Sequence, residues 1–306
     1  MKTKSVFCAM ILVIFGSADR SFGQQYFSNV GGTQVWNSAT ANWAAISGGP
    51  YDTAWASGDA IFEGTAGTVT ADTISANSLT FTVAGYKLTG GTITLTGPTN
   101  TVMVGTVTNA STLSGTAGLV KTGSGTLVLA STTNLYSGGT LVSGGTLQVN
   151  SDGQLSAAGE SLTLAGGTFR NMSPLNTTYR PLTLGAGGGT INLGYYLNYN
   201  GPITGGSGLF VSGSDFILAP PSANNIGTIT MSGSRLFINN LNAMANNMAI
   251  TITNTARLAF QSTAPTSFTN PVTFASGCGF CARISNITLN TTNCAFPSSG
   301  SFSFNV

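Results

Sequence analysis

Histidine is absent from this sequence of 306 residues, and charge is scarce: there are 10 Lys or Arg and 8 Asp or Glu, 6% of the chain. An ordinary soluble domain carries about a quarter. Without an imidazole there is no Ser-His-Asp or Cys-His catalysis, no His-ligated zinc or haem, and no histidine pH switch. No apolar run approaches the ~20 residues of a membrane-spanning helix. There is no G-x-S-x-G, no G-x-G-x-x-G and no phosphate-binding P-loop, so nucleophile-elbow and nucleotide chemistry lack their signatures. The little charge is dispersed, which gives no electrostatic footprint for nucleic acid or anionic lipid.

What is present is glycine, with 41 residues, beside abundant Ser, Thr and Asn and a hydrophobic content of 42%. Lys2 and Lys4 precede an apolar stretch from Val6 to Phe15, then small residues and Ser21-Phe22-Gly23. That order predicts a secretory signal peptide over 1–23, cleaved after Gly23. Its removal takes away Lys2, Lys4, Arg20 and Asp19 and leaves a chain with zero formal charge.

Downstream, apolar and short polar residues alternate with a period of two, as in Leu79-Thr80-Phe81-Thr82-Val83 and Thr92-Ile93-Thr94-Leu95-Thr96. This is the pattern of short, half-buried β-strands. Glycine clusters punctuate them at regular intervals. Gly-Gly-Thr followed by an apolar residue places its Thr at Thr146, Thr168 and Thr190, while Gly125-Thr126-Leu127 precedes Gly145-Thr146-Leu147. A spacing of about 20–22 residues suits stacked β-coils, because one coil cannot bury its apolar face alone. A longer echo links Gly118-Leu119-Val120-Lys121-Thr122-Gly123-Ser124 to Gly208-Leu209-Phe210-Val211-Ser212-Gly213-Ser214, with repeat copies near 118–149 and 208–238. The second copy lacks the Lys and reads as a degenerate coil.

Gly118, Lys121, Gly123, Gly125, Leu127, Asn134, Tyr136, Gly138, Gly144, Gly145, Thr146 and Leu147 together resemble the autotransporter-associated β-strand repeat of bacterial surface proteins. The resemblance implies an all-β, right-handed parallel β-helix with a passive part in secretion or surface display. It transfers no catalytic residue, cofactor or metal. It also implies a bacterial protein that is secreted or associated with the outer membrane or cell surface. No C-terminal run of alternating strands with aromatic girdles follows, which gives the expectation of a C-terminally truncated chain.

Several groups stand out as candidates for chemistry. Trp36, Trp43 and Trp55 fall in one short segment. They could offer aromatic faces to sugars, but a cap closing the first coil is the preferred reading, since terminal repeats must differ from interior ones. Asp52, Asp59, Glu63 and Asp72 could supply paired carboxylates for polysaccharide cleavage, yet few acids and few bases follow them on later coils. Cys278, Cys281 and Cys294 form a CxxC plus one, short of a tetrahedral zinc set; a disulfide within Cys278–Cys281, or from either to Cys294, is expected in an oxidising compartment. Thr68, Thr80 and Thr92 are evenly spaced, as an ice-binding array would be, but the spacing does not persist.

The organisation expected is a signal peptide at 1–23, a Trp-containing cap at 24–66 and a parallel β-helix at 67–306. The function expected is a non-enzymatic stalk or adhesin meeting surface glycans or a host or neighbouring cell. The alternative is a carbohydrate-binding or polysaccharide-cleaving β-helix.

Overall fold

The computed structural model describes residues 23–30, 34–97, 99–177, 179–219, 225–239, 248–260, 266–268, 270–282, 287–289, 294–296, 298 and 303–305. The expected signal peptide lies almost wholly outside the described residues. The chain is an all-β parallel solenoid of stacked coils, with one short 3-10 turn among the described residues, at Asp152–Gln154. Strand formation follows the alternation: Thr68–Ala71 runs exposed, buried, exposed, buried, and Thr126–Leu129 repeats that rhythm at half exposure. Threonine outside and aliphatic residues inside suit a pleated surface with one dry face.

Each coil visits three faces. The first carries strands such as Ser78–Phe81, Thr99–Val102, Leu119–Thr122, Thr140–Val142 and Leu162–Leu164. The second carries Thr68–Ala71, Lys87–Gly90, Thr106–Asn109, Thr126–Leu129, Thr146–Val149, Thr168–Asn171 and Gly189–Leu193. The third begins with Ile74–Ala76, Thr92–Leu95 and Thr112–Ser114 and resumes with Leu175–Asn176, Leu197–Tyr199 and Phe216–Leu218. Paired residues lie 19 apart at Asp59 and Ser78 and 22 apart at Thr146 and Thr168.

The expected spacing therefore sets the register. Thr106, Thr126, Thr146, Thr168 and Thr190 stand one above another on the second face. Beside them, pointing inward, runs the column Val107, Leu127, Leu147, Phe169, Ile191, Val211, Met231, Ile252 and Phe274. All nine are buried. Burial of each such side chain contributes about 1.5–3 kcal/mol, whereas the half-exposed pair Arg235–Asp215 is of a kind that contributes at most about 1 kcal/mol. The stack, and not charge, holds the coils together.

Three features depart from the expected plan. Parallel pairing starts before residue 67, because Gln24–Phe27 pairs with Asp59–Phe62 and Val35–Trp36 pairs with Thr70–Ala71. Trp43–Ala44 adds an antiparallel strand to Gln24–Phe27. The echo at 208–214 falls on a different face from 118–124: Leu119–Thr122 pairs along the first face, whereas Leu209–Gly213 pairs with Gly189–Leu193 on the second. A strand that begins and ends with glycine fits either corner, so sequence similarity alone did not reveal the offset. Finally, the third face has no strand between Thr112–Ser114 and Leu175–Asn176. There the buried Arg180 holds the loop in place, donating from Nε to Asp152 Oδ1 at 3.0 Å and from Nη1 to Ser156 Oγ and Glu160 O at 2.7 Å.

Candidate functional site

The residues of the repeat converge on two adjacent corners. Lys121 alternates with Val120 and Thr122, and so points inward. A lone ammonium in an apolar interior is costly unless its protons are shared. Here Nζ donates to the carbonyls of Thr122 at 2.6 Å, Gly123 at 3.0 Å and Gly144 at 3.1 Å, tying one coil's corner to the next. Burial pushes its pKa down to about 8. The carbonyls are reachable because Gly123 and Gly145 turn with φ of 71° and 58°. A Cβ on Gly145 would stand 2.3 Å from the Gly125 carbonyl oxygen, so this corner accepts only glycine.

On the far side of the same coil, Asn134 bridges three turns: its Oδ1 accepts from Leu113 N at 2.8 Å, and its Nδ2 donates to Gln154 O at 2.6 Å. Tyr136 is fully buried, shares a hydrogen bond of 2.8 Å with Thr140, and is held protonated well above the usual tyrosine range by burial. Gly118 and Gly138 lie backbone against backbone, where a Cβ on Gly138 would fall 2.1 Å from Gly118 N. Leu127 and Leu147 stack in the inner column, below the paired Thr126 and Thr146. Lys121, Asn134 and the corner glycines thus serve coil-to-coil fit, while Tyr136 braces its own coil.

The other candidates are dispersed. Trp36 and Trp43 are wholly buried and Trp55 is 5% exposed, so none presents a ring face to a sugar; this corrects the ligand-facing expectation. They pack with one another at centroid distances of 4.5–5.2 Å and against Phe27 and Phe62. Two of the N-terminal acids hold structure. Asp59 accepts from Asn77 and Ser78 at 2.7 Å, and Glu63 accepts from Ser47 Oγ, Gly48 N and Tyr51 OH at 2.7–2.9 Å. Thr68, Thr80 and Thr92 sit on the second, first and third faces respectively and form no common array.

Cys278 is buried in the apolar core and in no disulfide, against the expected bridge to Cys281 or Cys294. It fills space at the corner leading into Gly279–Ala282. The side chain of Cys281 lies outside the described residues. Cys294 is half-buried, with its thiol pushed up by burial. Among the described residues no group of three His, Cys, Asp or Glu could hold a metal ion, and no helix is long and apolar enough to cross a membrane. Sequence reasoning missed Arg180. Its signal was rarity: with so few charges, an isolated Arg must find both a counter-ion and interior carbonyls.

The fold and its locked corners define a parallel β-solenoid segment carrying a transport-type repeat. Residues 119–149 match the family Passenger-associated-transport-repeat, so the chain carries such a repeat at the corners just described. Over 221 residues, 69% of this chain, it is 37% identical to the adhesin BmaC autotransporter of Brucella suis biovar 1 (strain 1330), and it spans 6% of that protein's length. No solved structure matches the chain.

Proposed function

We propose that this chain is a coil-stack segment of a bacterial surface-displayed or secreted protein, serving as a non-catalytic stalk or adhesin. The observation that carries this reading is the transport repeat at 119–149, lying in a chain that is similar over most of its length to an autotransporter adhesin. The physical properties agree. A uniformly stacked, nearly uncharged rod can fold coil by coil after crossing a membrane, because each new coil needs only its predecessor. The acids that a glycan-cleaving reading would use are occupied in part by structural hydrogen bonds. The signal at 1–23 supplies export. The partners proposed are surface glycans or the surface of a host or neighbouring cell.

The test is protease shaving and antibody labelling of intact cells expressing the natural gene, followed by an adhesion assay on a strain deleted for it. Labelling of intact cells and reduced adhesion of the deletion strain are expected. Protein found only inside unlysed cells would overturn the proposal.

A further inference from the structure

Through most of the solenoid the first and second faces meet at a glycine corner, such as Ser124-Gly125 or Gly166-Gly167, flanked by two separate strands. Further along, strand pairing runs on through the corner, which bends at Gly205 with φ of 116°. Ile203–Gly213 is one strand of 11 residues, Asn225–Ser232 is one of 8, and their register slips between Gly205 and Gly208. The preceding coil still turns there, through Gly187 and Gly188 at φ of 85° and 69°. Where the register slips, the stacked coils leave a trough of about 440 Å³ along the side of the rod. That volume lies within the ~300–1,000 Å³ of small-ligand sites.

The lining is unusual for this molecule. Its floor is backbone at Gly187, Gly188 and Gly208, and hydroxyls come from Thr190, Thr228 and Thr230. Phe210 stands in register between Thr190 and Thr230 with 41% of its surface exposed. At the equivalent outward position of the neighbouring coils the residue is threonine, so this ring interrupts a column of small polar side chains. Gly208 leaves room for the Thr228 hydroxyl, which lies 2.7 Å from where a Gly208 Cβ would be. Among the described residues, no ionisable side chain lines the trough.

We propose that this trough binds a neutral pyranose glycan, with Phe210 as the stacking platform. An aromatic ring offers its face to the apolar C–H side of a sugar ring. The hydroxyls of threonine and of Ser207 match the sugar's hydroxyl rim as both donors and acceptors. The absence of a cation in the lining selects against carboxylated or sulfated sugars, which would lose hydration without gaining a partner. The trough opens sideways, so an internal stretch of a chain can enter as well as an end. The inference rests on the surface-display reading for its biological setting, but its chemistry stands apart from it.

The test uses the full chain on an immobilised array of neutral, sialylated and sulfated oligosaccharides. Retention on neutral glycans is expected, weakened at least tenfold in F210A and in the double variant T228V/T230V, kept in F210Y, and unchanged in T146V elsewhere on the second face. Thermal unfolding of each variant establishes that it is folded. Retention on acidic glycans alone, no retention on any neutral glycan, or binding by folded F210A equal to the parent would overturn the site. A protein displayed on cells yet blank on the array removes the trough and leaves the proposed function. Binding on the array by a protein never found outside the cell does the reverse.

Discussion

The charged residues of this chain are so few that each one inside must be accounted for by its partners, and two of them decide local stability. Lys121 has a folded pKa near 8 against 10.5 in the unfolded chain. Between those values the unfolded state binds more protons than the folded one, so stability rises as pH increases through that window. Comparison of the parent with Lys121→Met by urea unfolding from pH 8 to 10 is expected to show the parent gaining stability relative to the variant by at most about 1.4 kcal/mol per pH unit, on top of the opposing titration of the buried tyrosines that both proteins share. Equal slopes would mean that Lys121 does not titrate in this range. Arg180 is of the other kind, a buried cation with a carboxylate beside it. Removing one partner of such a pair costs about 3–5 kcal/mol because the other stays buried and unpaired. Arg180→Met is expected to lower stability by that order, and adding Asp152→Asn to recover part of the loss. A loss under 1 kcal/mol would show that the loop at 150–161 is held by something else.

Corners are the elements on which coil stacking depends, and two glycines separate conformation from crowding. Gly145 and Gly159 both have positive φ, 58° and 84°, but a Cβ at Gly145 would strike two carbonyl oxygens within 2.5 Å, while at Gly159 nothing lies within 4 Å. Gly159→Ala is therefore expected to cost only the left-handed backbone penalty, about 1–2 kcal/mol. Gly145→Ala forces the two coils apart, and a cost at least twice as large is expected in the same denaturant titration; equal costs would deny the close approach. It was at corners that the sequence was most legible. The Gly-Gly-Thr spacing predicted the stack of Thr146, Thr168 and Thr190, since a repeated turn residue followed by one outward and one inward position leaves no other register. The same pattern misled at 208–214, where the glycines mark a different corner of the coil. Arg180 and the trough at Phe210 were not legible. The first offered only the rarity of an arginine, since its partners lie on a loop that replaces a missing strand, and the second depends on a register slip at a glycine corner, which has no local sequence signal.

At the scale of the whole molecule the rod has the energetics of a one-dimensional stack, in which each coil is stabilised by its neighbours and an end coil has only one. An uncovered end also offers unpaired strand edges to another molecule. The aromatic cluster of Phe27, Trp36, Trp43, Trp55 and Phe62 meets both demands at the N-terminal end, covering the first coils with large buried rings while Trp43–Ala44 pairs with Gln24–Phe27 on its free side. Trp43→Ala removes the larger buried side chain and costs about 3–5 kcal/mol, Leu147→Ala about 2–5 kcal/mol, at different places in the stack. In Trp43→Ala, loss of amide protection is expected to begin in the first coils and fade along the rod, with light scattering rising as exposed edges associate. In Leu147→Ala the weak coil lies between two intact stretches, so loss of protection is expected to centre on 126–171, with both ends retained and no increase in scattering. Native-state hydrogen exchange followed by peptide mass analysis separates the two patterns. Uniform loss of protection in both variants would mean that the solenoid unfolds as a single unit and that the cap is not an end-specific device.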